Sequence, residues 1–431
     1  MKAKRVFRVF PMLFVAAFVA APLGWAQDLP KDLPRAAPEE VGMSSHRLAR
    51  IGAWLESEVD KKKIPGAVLL VARQGKVVYQ EAVGVQDPGT GAPMAKDSIF
   101  RIYSMTKPIA TVAAMMLVEE GRLLLEAPVA TYIPSFKDMK VAVEKAGPAG
   151  GAPTVEMEPA RRPITVQDLM RHTSGLTYGF FGDSPAKRAY IDAKIGSDDV
   201  DNAEFADRIA AMPLGFQPGT TWDYSYSTDV LGRVVEVIEG KPLGAVLNER
   251  IFGPLAMADT AFHVSDASKQ ARIAEAFPDD RTIGTGISFY DPRVQGKFES
   301  GGGGLTGTAM DYARFAQMLL NGGELDGKRI LSPATLGFMT SDHLGAAISK
   351  GKLYLPGAGY GFGLGFGVRT AAGESPFASS VGEYYWGGAG GTYFWADPQQ
   401  DLFVVFMMQS PKNRVPYRSV LRNMVYAAIV D

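Results

Sequence analysis

The chain has 431 residues, 46% of them hydrophobic and 21% charged, with a formal net charge of −1. That length exceeds what one hydrophobic core usually holds, so two lobes are expected; the balanced charge, free of blocks, offers no surface for nucleic acid. With no cysteine and only four histidines (His46, His172, His263 and His343) lacking ligand spacing, disulfides and thiolate chemistry are excluded and a zinc hydrolase is disfavoured.

Lys2, Lys4, Arg5 and Arg8 precede an apolar stretch from Val9 to Ala21, and Gly24 and Ala26 are small residues at the −3 and −1 positions before Gln27. This pattern predicts a secretory signal peptide over residues 1–26, a periplasmic or secreted protein, and no membrane anchor once the leader is cleaved. Pro30 to Pro38 reads as an extended arm. Ser44 caps a predicted helix running to about Lys63, and Ala67–Ala72 with Lys76–Gln80 flank Gln74-Gly75 as an antiparallel hairpin.

Next comes Ser104-Met105-Thr106-Lys107-Pro108, leading into the apolar run Ile109 to Val118. Positions i and i+3 share a helix face, so Lys107 can reach the Ser104 hydroxyl. A serine needs a neighbouring base to act as a nucleophile, and a lysine removed from water is one of the few that serve. The alternative is a helix cap beside a solvated lysine. Ser-x-x-Lys also occurs at Ser184/Lys187 and Ser349/Lys352. Ser184, before Pro185, reads as a cap, and Ser349 lies in a polar loop with no apolar period behind it.

From Leu123 to Ser300 short helices alternate with Gly/Pro loops: Ile164–Arg171, Asn202–Met212, Ser227–Ile238 and Leu243–Ile251, with no strand pair. Arg171-His172-Thr173-Ser174-Gly175 reads as a helix end closed at Gly175, with His172 structural. Helices at Thr308–Leu320 and Ser332–Thr340, strands at Val381–Trp386, Thr392–Ala396 and Leu402–Met408, and a helix from Tyr417 to Val430 complete the chain. The stretches Gly179–Asp201 and Asp342–Pro376 read as insertions around a pocket mouth. Strands at both ends with helices between predict an α+β fold: one antiparallel sheet from both termini, flanked by helices, with a helical lobe inserted. The expected division is 27–122 and 301–431 for the sheet lobe, and 123–300 for the helical one.

Pro218-Gly219 delivers Tyr224 to the mouth of the Ser227 helix. There it is either a general base beside a cationic lysine or a core tyrosine with a bonded hydroxyl. Glycine pairs in Trp386-Gly387-Gly388-Ala389-Gly390-Gly391 mark a close backbone approach, whose N–H groups could face an acyl carbonyl; a bulge is the alternative.

In order and spacing, Ser104-x-x-Lys107, His172-Thr-Ser-Gly-Leu, Pro218-Gly-Thr-x-x-x-Tyr224-Ser and Gly302-Gly-Gly-Leu-x-Gly-Thr-Ala resemble the serine β-lactamase and penicillin-binding-protein superfamily. The class C-like branch is nearest, and within it the family VIII carboxylesterases; the resemblance runs from about Val41 to the C-terminus. It implies Ser104 as acylated nucleophile, Lys107 as activator, Tyr224 as general base, and the Ser104 and Ala389 amides as oxyanion hole, with no cofactor or metal. Penicillin-recognising members carry a basic residue where this chain has Trp386-Gly387-Gly388, and Asn where it has Tyr226. Both departures resemble the esterase branch and point to neutral esters, with Trp386 as an apolar wall and Gly387, Gly388 and Tyr226 lining the substrate site. The expected partner is a small acyl ester; β-lactamase or D,D-peptidase action, acyl transfer, or an inactive ligand sensor are the alternatives.

Overall fold

The computed structural model describes residue 1 and residues 32–147, 152–196, 199–284, 287–351 and 353–431. Apart from residue 1, the predicted leader (1–26) lies outside them, as does Lys352. No helix among the described residues is long and apolar enough to cross a membrane.

Eight antiparallel strands form the central sheet: β1 (Gly66–Arg73), β2 (Lys76–Asp87), β3 (Ala92–Pro93), β4 (Tyr360–Phe362), β5 (Gly367–Arg369), β6 (Tyr384–Gly387), β7 (Tyr393–Asp397) and β8 (Leu402–Met408), in the spatial order β4-β5-β6-β7-β8-β1-β2-β3. The C-terminal β8 pairs with the N-terminal β1 from Ala67↔Met408 to Arg73↔Leu402, so the two chain ends close one sheet. All eight residues of β1 are buried. Val68, Leu70 and Ala72 face one apolar cluster, and Ala67, Leu69 and Val71 the other. A sheet buried on both faces needs apolar residues at every position, which is why these strands read as continuous runs.

One face is covered by α1 (Ser45–Asp60) and α5 (Arg414–Ala427), where Trp54 meets Tyr417 at 4.9 Å between ring centroids. Ser44 caps α1 by accepting from the Arg47 N–H. The other face carries α2 (Thr106–Glu119) and α4 (Ala309–Leu320), and α3 (Ser227–Glu239) packs beyond α2. Glu383 and Arg422 join β6 to α5 in a bidentate pair, both contacts 2.7 Å and both side chains fully buried.

Two expectations are corrected. The stretch from Leu123 to Ser300 does contain strand pairs: Lys140–Lys145 with Thr154–Pro159, and Thr282–Ile283 with Ile287–Ser288. The first pair is hard to read because Val155 and Met157 are solvent-exposed, so no buried alternation marks it. The stretch Asp342–Pro376 contains β4 and β5, which extend the sheet; their glycines disguise them as loop.

Candidate active site

The nucleophile candidate sits where two structural units clamp a strained turn. Phe100-Arg101 pairs with Thr306-Gly307, the Ile102 N–H donates to the Leu305 carbonyl at 3.0 Å, and the Thr392 hydroxyl donates to the Ile102 carbonyl at 3.1 Å. Tyr103 then takes a left-handed conformation (φ +44°), a cost of about 1–3 kcal/mol for a residue with a side chain. A single 3-10 turn, Tyr103–Met105, carries Ser104 and runs straight into α2 at Thr106. Ser104 stays partly accessible, whereas Lys107 is only 1% exposed.

The Lys107 amine has three polar neighbours: the Ser104 hydroxyl at 3.4 Å, the Tyr178 hydroxyl at 3.0 Å and the Gly302 carbonyl at 2.6 Å. It also lies 4.5 Å from the centroid of the Tyr224 ring. Three partners match the three hydrogens of an ammonium. A neutral amine in the same place would donate to two of them and accept the Ser104 proton.

Tyr224, 6% exposed, comes from the segment entering α3. The Trp222 backbone N–H donates to the Ser349 carbonyl and the Asp223 backbone N–H to the His172 carbonyl, at 2.8 and 3.0 Å. The Asp223 carboxylate accepts from Lys187 at 3.2 Å and from Thr177 at 2.7 Å. The rival lysine of the second Ser-x-x-Lys pattern is thus spent on holding the residue before Tyr224, and Ser184 accepts from the Lys187 N–H as a helix cap. In the third pattern, Ser349 belongs to the backbone bridge with Thr221.

Trp386 is more than an apolar wall. Its indole N–H donates to the Tyr224 hydroxyl at 3.1 Å, while its ring lies 5.4 Å from the Tyr224 ring. A hydroxyl that accepts there still has its own proton to give. Beyond Trp386, the glycines allow close approach: a Cβ on Gly388 would lie 2.4 Å from the Ile102 carbonyl oxygen, and one on Gly390 2.7 Å from the Tyr103 ring. Ala389, between them, therefore lies beside the turn that carries Ser104. The strand itself carries no cation, but Arg418 from α5 donates to the Gly388 carbonyl at 3.2 Å and covers the Tyr393 ring.

Tyr226 lies one layer further out. Its ring packs on Tyr178 at 4.3 Å and its hydroxyl donates to the Ile195 carbonyl at 3.1 Å. Its polar atom is therefore turned from Lys107. His172 is buried against Tyr224, Trp222 and Phe362. Burial, and then the neighbouring Lys107 charge, hold its imidazole well below the usual range, so it is neutral. Tyr178 is the polar neighbour of Lys107 that sequence reasoning missed. Burial and then the charge of Asp229 push its hydroxyl well above the ordinary phenol range. The helix Val166–Met170 closes on the left-handed His172 (φ +57°) rather than at Gly175 as expected, and nothing marks a tyrosine in the loop beyond it, because its partner is 71 residues away.

A serine and a buried lysine at the start of a helix, on this sheet-and-helix fold, define a serine hydrolase of the β-lactamase type. The Beta-lactamase family model matches residues 51–428, and the chain belongs to that family. It is similar to Protein Rv1367c of Mycobacterium tuberculosis (37% identical over 366 residues, covering 83% of this chain and 88% of that protein). It is also similar to Esterase EstB of Burkholderia gladioli (31% over 402 residues, covering 88% and 95%). Among solved structures, "EstCE1, a hydrolase with promiscuous acyltransferase activity" superposes with a TM-score of 0.71 at 27% identity, covering 88% of this chain and 99% of that one.

Proposed function

We propose that this hydrolase is exported and cleaves short- or medium-chain carboxylic esters through an acyl-enzyme on Ser104. The contact that carries the reading is Lys107 to Ser104, 3.4 Å apart, with the lysine buried and the serine partly accessible. Ser104 loses its proton to the Lys107/Tyr224 pair as Oγ bonds to the acyl carbon. The developing oxyanion is met by the Ser104 and Ala389 amides; that of Ser104 lies in the turn opening α2, at the positive end of the helix dipole. The C–O bond then breaks, Tyr224 returns the proton to the leaving alcohol, and water repeats the sequence to release the acid. Ser104 and Tyr224 meet through Lys107, which is 3.4 Å from the hydroxyl of one and 4.5 Å from the ring centroid of the other, and catalytic contacts of this kind commonly tighten when substrate binds.

Esterase EstB and the lovastatin esterase of Penicillium rubens, 32% identical over 298 residues, support the ester over the amide. The aromatic surround of Tyr178, Phe181, Tyr224 and Trp386 suits an apolar acyl group. One observation favours a second reading, hydrolysis of an anionic lactam or peptide: Arg418 brings a cation to the strand that lacks its own. Acyl transfer to an added alcohol would use the same acyl-enzyme. Comparing p-nitrophenyl butyrate with nitrocefin, in the native enzyme and in Ser104→Ala, separates the readings. The esterase reading expects faster turnover of the ester and its loss in Ser104→Ala; faster turnover of nitrocefin reverses the ranking.

A further inference from the structure

Asp229, in the first turn of α3, is 2% exposed, yet only one of its two carboxylate oxygens is satisfied. Oδ1 accepts from the Ser300 hydroxyl and, at 3.0 Å, from the Gly302 N–H. Oδ2 has no hydrogen-bond partner. A buried carboxylate with a bare oxygen is costly, and an asparagine would accept the same two hydrogen bonds without the charge. The charge therefore calls for a reason beyond holding the loop.

That reason lies on the other side of the Gly302 peptide. Its N–H is bound to Asp229, and its carbonyl accepts the Lys107 amine at 2.6 Å. The peptide is pressed so close that a Cβ on Gly302 would lie 2.2 Å from Oδ2. Ionisable groups near Asp229 include Lys107 from α2, Tyr178 from the loop after Val166–Met170, and Tyr226 at the mouth of α3, with Tyr224 against the far side of the Lys107 amine. Lys107 is the one cation of that set. Asp229 itself is raised by burial and pulled back chiefly by Lys107.

We propose that Asp229 is a positioning residue for Lys107: its carboxylate fixes the Gly302 peptide, whose carbonyl holds the amine beside Ser104, and its charge faces that amine across a dry interior. This rests on the Ser104/Lys107 reading above. A fixed carbonyl matters because small displacements of a catalytic group cost large factors in rate. A fixed anion matters because it biases the proton toward the amine side of the transfer.

Asp229→Asn keeps the acceptor for Ser300 and Gly302 and removes the charge; Asp229→Ala removes both. With p-nitrophenyl butyrate, Asp229→Asn is expected to lower kcat about tenfold with KM little changed. Loss of an anion lets every neighbour release its proton at lower pH, so the acid limb of kcat/KM should move down by roughly one unit. Asp229→Ala should lose a further ~10-fold. An acid limb that stays in place or moves up in Asp229→Asn overturns the proposal, whatever happens to kcat. Failure of both variants to keep the native far-ultraviolet spectrum and melting transition overturns it too, since Asp229 would then serve the fold alone. Ser104→Ala is run alongside. Retained activity there defeats the underlying site reading, whereas a dead Ser104→Ala with an unmoved Asp229→Asn limb defeats only the role of Asp229.

Discussion

Replacing Trp386 by phenylalanine isolates one hydrogen bond at the proposed base. Trp386 is 4% exposed, and its indole N–H is the donor to the Tyr224 hydroxyl at 3.1 Å. Phenylalanine keeps an aromatic ring against Tyr224 and Phe362, whose rings lie 5.4 and 5.3 Å from that of Trp386, but cannot donate. Net loss of one neutral hydrogen bond costs about 1 kcal/mol, and leaving a buried hydroxyl oxygen without its donor costs about 1–3 kcal/mol. If that cost falls on the step in which Tyr224 changes its proton, about 1.4 kcal/mol of it lowers kcat roughly tenfold. Steady-state hydrolysis of p-nitrophenyl butyrate gives kcat and KM, and a thermal melt gives the packing cost separately. Phe362→Leu is the control: it disturbs the same cluster without touching the hydrogen bond, so it should lower the melting temperature and leave kcat within about threefold. A Trp386→Phe enzyme that melts early but turns over within twofold of the native rate would refute the reasoning, since the indole would then be packing alone.

The remaining predictions concern the scaffold. Ser184→Ala removes only a helix cap, about 1 kcal/mol in a urea melt, with ester turnover intact. Lys187→Met instead strands the Asp223 carboxylate next to Tyr224 and should cost about 3–5 kcal/mol and lower turnover as well. Glu383→Gln leaves the Arg422 guanidinium buried without its counter-charge, with a loss of about 3–5 kcal/mol read as a fall of several degrees in the melting midpoint. Burial pushes the Asp168 carboxyl up, but hydrogen bonds from Arg162, the Thr165 N–H and Thr173 outweigh it and hold it below the ordinary value. A depressed carboxyl stabilises the fold above its unfolded pKa of about 3.9 and loses that contribution as pH falls through the folded value. Asp168→Asn should therefore flatten the acid limb of the urea midpoint below pH 4, and an unchanged limb would count against the assignment.

Much of this architecture was legible because its signals are local. Ser44 before an apolar period, Gln74-Gly75 between β-rich runs, and Asp397 to Asp401 between two apolar strands each fix an element by short-range chemistry. The Ser104–Lys107 spacing is likewise a property of one helical turn. What stayed hidden depends on partners far away in sequence. Tyr178 reaches Lys107 across 71 residues, Gly302 across 195, and the Trp386 indole reaches Tyr224 across 162. No periodicity encodes such pairs. The strands β4 and β5 were missed for a different reason: three-residue strands rich in glycine take their stability from the edge they join, and carry too little alternation to announce themselves.

The absence of a lysine in Trp386-Gly387-Gly388 also takes on a new sense. The sequence difference reads as loss of a cation, but Arg418 approaches the same backbone from α5, closely enough that a Cβ on Gly387 would lie 2.4 Å from its guanidinium. The proposed preference for neutral esters therefore draws its support from the aromatic lining and the esterase relatives more than from an uncharged strand.

The central claim is that, of three Ser-x-x-Lys patterns, the chemistry belongs to Ser104 alone. Labelling the native enzyme with an alkyl p-nitrophenyl phosphonate and mapping the product by peptide mass spectrometry tests it directly. The account predicts one adduct, on the peptide carrying Ser104, formed in step with loss of esterase activity and absent from Ser104→Ala. An adduct on Ser184 or Ser349, or full inactivation with Ser104 unlabelled, would contradict it.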